Sequence, residues 1–456
     1  MQQGYVLTKK QRGHAKKNNN DWYECKSYPH FDEPIFNRKE ALNVVYRYRN
    51  GASYGFYPLI QFDIKQNRYR TKRQENNNKI KVIDKEKSRP KIRTINYPSH
   101  KDGYIFSYYA HELSKLYEKK IESLSLGECV SAYRKNIGSN IDIAGQVFKF
   151  IKETKNCICL AYDITKFFDS LDHNLLKKQI LKILNASKLP TDYYKIYKAV
   201  TCYSAIRLDD LPKNEQGLLN KPVCSPKQLR ELKDKIYIHK ESYGIPQGTQ
   251  ISALLSNIYM LDFDIQIKDF IYDMNGIYKR YADDIIIVVP IVDDIKALFE
   301  SIEEKIKETL KTFAGNLKIN DGKTEKVIFS DGKVKITPYS KLSFLQYLGL
   351  IYNGTKILVR SNSVSRYMRK MLGGVRRKIC LAKNSSKNKG VVFKTYLYYQ
   401  YSHLGTQNFY NYTRNIYRKL SPTFSSELMV KHQLRKHMNI LNKEIRGIRT
   451  TKHHRK

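Results

Sequence analysis

The run "IYKRYADDIIIVVP", residues 277–290, constrains the fold of this chain more than any other stretch. Two acids, Asp283 and Asp284, stand at the foot of a block of large apolar residues that ends at Pro290. Apolar, β-branched segments on either side of a short polar step read as a β-hairpin with its turn near residues 282–284. The same step sets two like charges beside a core. Burying either one unpaired is costly, and together they repel. A chain that keeps them there must bring positive charge to meet them.

The neighbouring segments supply the rest of a domain. Residues 157–164, "CICLAYDI", read as a short buried strand, followed by a helix start at "SLDHNLLKKQI". In "DGYIFSYYAHELSKLYEKKI", Ile105, Tyr108, Tyr109, Leu113, Leu116 and Tyr117 recur at helical spacing. Residues 244–264, "GIPQGTQISALLSNIYMLDFD", predict a Gly/Pro turn and one helix capped by Thr249, striped by Ile251, Leu254, Leu255, Ile258 and Leu261. Ile295, Leu298, Phe299, Ile302, Ile306, Leu310 and Phe313 mark an amphipathic helix, capped by Asp293 or Asp294 and closed by Gly315. "EKVIFS" and "FLQYLGLIYNGTKILVR" read as further strands. The expected class is α+β, with helices packed on one face of an antiparallel sheet. The polar stretch 65–91 predicts an exposed loop. Residues 204–242, with Pro212, Gly217, Pro222 and Pro226, predict a surface insertion.

Charge narrows the partners. The chain holds 83 Lys and Arg against 43 Asp and Glu, a net charge of +40, which points to a polyanion. No apolar stretch approaches the roughly 20 residues of a spanning helix, and the first 20 residues carry no apolar signal region. The expected location is cytoplasmic, with no membrane partner. Seven cysteines, an odd count without a C-x-x-C pair, argue against a disulfide framework and a zinc knuckle. The His453–His454 pair lies in a basic tail and reads as solvated charge.

Taken singly, Asp163 reads as a helix N-cap and Asp283 and Asp284 as turn formers. Taken together they are a different proposition. Adjacent strands of one sheet would bring Asp163 beside the hairpin tip. Carboxylates without His or Cys nearby select a hard cation, Mg²⁺ or Mn²⁺. Two such ions about 4 Å apart clamp an in-line phosphoryl transfer.

Six ordered blocks carry a resemblance: "RPKIRTINYPSHKD", "AYDITKFFDSLDH", "GIPQGTQISALLSN", "YKRYADDIIIVV", "LKINDGKTEKVIF" and "FLQYLGLIY". Together they span roughly residues 85–360, and the chain resembles a reverse transcriptase, an RNA-directed DNA polymerase. The resemblance implies a right-hand polymerase with fingers, palm and helical thumb, using two Mg²⁺ ions, with Mn²⁺ as the alternative. It implies that Asp163, Asp283 and Asp284 are the catalytic metal ligands, assisted by the Ile164 carbonyl. Phe168 matches the steric gate that excludes a ribose 2′-OH, and Phe167 beside it reads as core. Gln247 matches the P-Q-G glutamine near the incoming nucleotide. Arg93, with Lys91 beside it as partner or plain surface charge, falls in the segment that grips the triphosphate. Lys323 matches the lysine that protonates pyrophosphate, or else is a solvated turn residue. Arg366, Arg369, Lys370, Arg376, Arg377 and Lys378 are spaced to track duplex phosphates. Asp169 reads as a structural cap, and Thr94, Tyr133 and Arg134 receive no chemistry.

The expected division is an N-terminal extension over 1–80, partly disordered; fingers and palm over 81–360, the fingers mainly 81–155 and the palm mainly 156–360; and a basic helical thumb over 361–456. The blocks are most similar to bacterial enzymes of the group-II-intron, retron and phage-defence lineages. Absence of a C-x-x-C module and of a "VTG" motif leaves the antiviral, defence-associated reverse transcriptases as the nearest type. That type implies an RNA template, here a dedicated non-coding RNA, with dNTPs and a DNA product. A homo-oligomer or a second protein partner stays open. The rival readings are an untemplated or protein-primed DNA polymerase of the same fold, an RNA-directed RNA polymerase, and a catalytically silent RNA-binding scaffold.

Overall fold

The computed structural model describes residues 22–51, 53–76, 79–212, 221–292, 294–384 and 394–453. Twelve strands occur among them. In chain order they are β1 (Leu59–Asn76), β2 (Lys79–Tyr97), β3 (Cys157–Asp163), β4 (Ser204–Arg207), β5 (Tyr237–Ile238) and β6 (Ile277–Tyr281). There follow β7 (Asp284–Pro290), β8 (Glu325–Ser330), β9 (Lys333–Lys335), β10 (Leu345–Tyr347), β11 (Leu350–Tyr352) and β12 (Ile357–Val359). The class is the expected α+β, helices combined with largely antiparallel sheets. Two compact units share the chain, and each is built from discontinuous segments.

The first unit takes in Met1–Gly127, Lys166–Asp264 and Leu310–Leu317. Its sheet has the order β2-β1-β4-β5. The expectation of an exposed loop over 65–91 is corrected here: β1 and β2 pair as one long antiparallel hairpin through that stretch, with register shifts after Gln66 and Lys72. Backbone amides pair whatever the side chains are, so a ladder started by Leu59, Ile60 and Phe62 runs on into polar sequence. The surface insertion expected over 204–242 is also corrected for its described residues, Gly217 lying outside them. Its β4 runs parallel to β1, and Ile206, Leu211, Val223 and Cys224 are buried with Phe31 and Ile60. Pro226 opens the short helix Pro226–Glu231, while Pro212 and Pro222 lie in irregular backbone. The helix expected from Thr249 is two: Ser252–Tyr259 and Leu261–Asp273. Thr249 does not cap it. Its hydroxyl bonds the Ser252 hydroxyl at 2.6 Å, and that hydroxyl donates to the Pro246 carbonyl at 2.7 Å, so Thr249 braces the preceding turn.

The second unit takes in Glu128–Thr165, Ile265–Thr309 and Lys318–Lys456. Its five-stranded sheet has the order β6-β7-β3-β8-β9, with β3 at the centre. Cys157, Cys159, Ile286, Val288, Val327 and Phe329 pack against the helix Asn140–Thr154 and the small sheet β10-β11-β12. Ile158, Leu160, Ile285, Ile287 and Ile328, on the alternate positions, are buried as well. Burial on both faces explains why β3 and β7 read as unbroken apolar runs. Asp294 supplies the expected cap, its carboxylate accepting from the Lys296 amide at 2.9 Å; Asp293 lies outside the described residues. The basic C-terminal region is helical, led by the helix Ser361–Asn384, which turns Tyr367, Met371 and Val375 inward.

Candidate active site

The site grows from the strand register. Asp163, the last residue of β3, lies directly opposite Asp284, the first residue of β7. Residues so paired share one face of a sheet, with Cβ atoms about 4.5–5.5 Å apart. Asp284 is also the partner of Tyr281 across the β6–β7 hairpin, which leaves Ala282 and Asp283 as its two-residue loop. The backbone locks the arrangement. The Ile164 amide donates to the Asp283 carbonyl at 3.0 Å, and the Asn320 amide to the Asp163 carbonyl at 2.8 Å. The loop is tight enough to hold Ala282 at a φ of 58°, a left-handed conformation that costs an L residue about 1–2 kcal/mol. Arg280, whose side chain is fully buried, donates from Nη1 to the Ala282 carbonyl at 3.1 Å and steadies that loop.

Like charges facing each other across a ladder are destabilising, so the counter-charge matters. Lys323, brought back by the short turn Asp321–Lys323, sets its ammonium 2.5 Å from Asp163 Oδ2. Asp284 reaches solvent at its tip, yet the protein crowded around it raises its carboxyl to about 7; Asp283 and Asp163 raise it further, while Lys323 and Arg360 pull it down. Those two cations therefore leave the cluster short of positive charge. Among the described residues no three His, Cys, Asp or Glu side chains close on a single point as an ion cage. The donor set itself, carboxylates beside the Ile164 backbone and no nitrogen or sulfur ligand, suits a hard divalent cation.

The nucleotide candidates divide. Lys323 stands with the aspartates in the second unit, whereas Lys91, Arg93, Phe168 and Gln247 belong to the first. Within that unit three hydrogen bonds tie them together. The Asn96 amide of β2 donates to the Gln247 carbonyl at 2.8 Å, the Ile245 amide to the Phe168 carbonyl at 2.9 Å, and the Gly244 amide to the Leu171 carbonyl at 2.8 Å. Arg93 is exposed on β2 opposite Ile64, and Lys91 is half-buried opposite Gln66. Phe167 is buried, while Phe168 keeps part of its ring open. On the helix Ser361–Asn384, Arg366, Arg369, Lys370, Arg376 and Arg377 are exposed; Lys378 is half-buried, its ammonium 4.7 Å from the Tyr396 ring centroid.

Arg360 escaped the sequence, and Tyr133, singled out there, was given no chemistry; both act on the aspartates. Arg360 follows directly on β12, and its amide donates to the Gly349 carbonyl at 3.0 Å. Tyr133 is 51% exposed at a φ of 61°, and its phenol is raised by burial first, then by Asp283 and Tyr281.

Two carboxylates facing each other at the ends of adjacent antiparallel strands, with a lysine turned in upon Asp163, make one compact acidic site. Residues 85–352, more than half of the 456-residue chain, match the family model described as reverse transcriptase (RNA-dependent DNA polymerase), and the chain belongs to that family. It is 24% identical over 277 residues to Protein YkfC of Escherichia coli K12, an alignment covering 54% of this chain and 62% of YkfC. Among solved structures it is similar to apo telomerase from Candida tropicalis (TM-score 0.42, 12% identity, 92% of this chain and 66% of that one). Telomerase from Candida albicans with a fragment of telomeric RNA gives a TM-score of 0.42 at 11% identity, over 89% of this chain and 66% of that one. The chain thus spans less than two thirds of the length of these relatives.

Proposed function

We propose that this chain is an RNA-directed DNA polymerase. The observation that carries the reading is the register of β3 on β7, which sets Asp163 against Asp284 with Asp283 in the adjoining turn. In this reading Asp163, Asp283, Asp284 and the Ile164 carbonyl hold Mg²⁺, or Mn²⁺ in its stead. A pair of such ions supplies activation of a primer 3′-hydroxyl and neutralisation of the leaving pyrophosphate. The remaining work falls to the protein. Arg93 and Lys91 bind triphosphate oxygens, and Gln247 orients the incoming nucleotide. Phe168 keeps ring area free to exclude a 2′-OH. Lys323 delivers a proton to pyrophosphate, and its contact with Asp163 holds it at the reacting centre until substrate arrives. The exposed cations of the helix Ser361–Asn384 track the duplex by its phosphates, which positions without reading sequence.

The division into an extension over 1–80, fingers and palm over 81–360 and thumb over 361–456 belongs to the same reading. So do a cytoplasmic location, an RNA template and a role in antiphage defence with an associated non-coding RNA. Among the described residues no helix is long and apolar enough to cross a membrane. The test is primer extension on an RNA template with dNTPs or NTPs. The wild type should extend with dNTPs, and Asp283→Asn with Asp284→Asn should lower the rate at least a thousandfold while leaving thermal unfolding near normal. Full extension by that double variant, or equal use of NTPs, would defeat the proposal.

A further inference from the structure

The first unit holds a cavity that none of the polymerase roles uses. Its volume is about 380 Å³, within the range of about 300–1,000 Å³ common for small-ligand sites. The walls are aromatic: Tyr54, Phe56, Tyr57, Tyr194 and Tyr203. Tyr194 is 44% exposed and the other four are half-buried, so each ring keeps part of its surface open. Asp102 and Phe106 form the floor, both fully buried, and Phe106 stacks on Phe56 at 5.4 Å. Lys195 and Lys198 stand on the helix Thr191–Thr201, which supplies one side.

The walls are built, not incidental. Asp102 accepts from the Tyr54 hydroxyl at 2.6 Å and from the Tyr57 backbone amide at 3.0 Å, which fixes the Tyr54 ring and the main chain at Tyr57 on the segment entering β1. Tyr203 is held from behind by His239, stacked at 4.8 Å. Burial raises the Asp102 carboxyl to about 7, so the acid is retained here at a cost. An ordinary core would use an apolar residue at that point. Flat rings held open beside two lysines, on a chain of net charge +40, suit a planar π system joined to a phosphate.

We propose that this cavity receives one unstacked nucleobase of a single-stranded RNA segment, stacked among Tyr54, Tyr194 and Tyr203 with its phosphate toward Lys195 and Lys198. Single-stranded RNA is bound in this manner generally, by bases splayed onto aromatic side chains. The inference rests on the proposed RNA partnership, and it adds a holding site apart from Asp163, Asp283 and Asp284. Asp102 acts as a positioning residue through Tyr54.

The experiment uses the full chain and a single-stranded RNA carrying one 2-aminopurine. Stacking should quench its fluorescence on binding. Tyr194→Ala and Tyr203→Ala should each relieve the quench and weaken binding roughly 5- to 150-fold, the span expected for one base–aromatic stack. A 4-thiouridine in the same RNA should crosslink to peptides containing residues 194–203. Blunt duplex RNA should bind all three proteins equally, and extension of a primer–template with a two-nucleotide overhang should be unchanged, which separates this site from catalysis. Wild-type affinity and quench in both variants would overturn the proposal. An equal weakening with duplex would do the same, as would saturation of the cavity by a free nucleoside monophosphate in preference to RNA. Failure of the overhang substrate with all three proteins would instead count against the polymerase reading.

Discussion

Replacing Gly248 by Ala should uncouple the P-Q-G turn from β2. Gly248 has a φ of 126°, and a Cβ built there would lie 2.5 Å from the Asn96 carbonyl oxygen and 2.9 Å from Ile95 Cγ2. The first contact is backbone on backbone, so no side chain can swing away. The same Asn96 supplies the amide that holds the Gln247 carbonyl at 2.8 Å. Strain at a glycine-only conformation costs about 1–3 kcal/mol. Breaking a bond of this kind costs about 1–3 kcal/mol more when its groups stay buried. The sum, about 2–6 kcal/mol, predicts a fall in melting temperature on the order of 10 °C, given about 2–4 °C per kcal/mol in larger domains. Displacement of Gln247 should also raise KM for dNTPs about tenfold, the equivalent of roughly 1.4 kcal/mol of binding. Gly332→Ala is the control: its φ is 73°, but a Cβ there meets nothing within 4 Å. It should lose only the conformational share, about 1 kcal/mol. Calorimetry and steady-state kinetics on both variants decide the matter. If Gly248→Ala melts no lower than Gly332→Ala and keeps a normal KM, the turn is not held as argued.

Lys323→Gln removes both the ion pair with Asp163 and a charge that pulls Asp284 down. The acid limb of the pH–rate profile should then move above its wild-type position, with the maximal rate down about 10²–10⁴-fold if the proton transfer to pyrophosphate is lost. In the wild type, Asp284 must be ionised to bind a cation, so Mg²⁺-dependent activity should fall as pH drops through about 7. In EDTA the sign for stability is opposite: a carboxyl raised on folding contributes stability below its ordinary value of about 3.9 and loses it as pH climbs to about 7. Asp284→Asn should therefore melt higher than wild type at pH 8 and the same at pH 4, by about 1 kcal/mol once solvent screening of its exposed tip is discounted; a variant less stable at pH 8 would contradict this. Neutralising Arg376 and Arg377 to Gln should weaken duplex binding evenly across sequences. The slope of log K against log salt should become shallower by about one for each phosphate no longer neutralised, as measured by titration from low to high salt.

The five-stranded sheet was legible because apolar runs and turn residues agree there. β3, β7 and β8 each carry a strand-length apolar block, and the Ala282–Asp283 loop is too short for anything but a hairpin. The helix Ile295–Phe313 was legible for a similar reason: a regular apolar stripe with a cap at one end and, just past the other, Gly315 at a φ of 59°. What the sequence concealed was structure made by backbone pairing alone. The polar arms of the β1–β2 hairpin have no apolar alternation to announce them. The 204–242 segment hides its few core residues, such as Ile206 and Val223, among prolines and charges that dominate a local reading.

The candidate site shows the same division between local and long-range information. That Asp283 and Asp284 needed counter-charge followed from the two letters themselves. Which charge answered them did not, because Lys323 and Arg360 arrive from turns whose positions depend on the pairing of β8 with β3 and of β12 with β11. Had β3 paired with β7 one residue out of step, Asp163 would have pointed to the opposite face and faced Ile285 or the loop in place of Asp284. The burial of Ile158, Leu160, Ile285 and Ile287 on one face, and of Cys157, Cys159, Ile286 and Val288 on the other, does not by itself forbid that slip, since both faces are apolar. The backbone bond from Ile164 to Asp283 extends the β3–β7 register past the strand end, and that from Asn320 to Asp163 ties the same end of β3 on its other side. The acids are thus held opposite each other by peptide groups on either side, and their mutual repulsion is left for Lys323, Arg360 and, in the proposed function, a bound cation to offset.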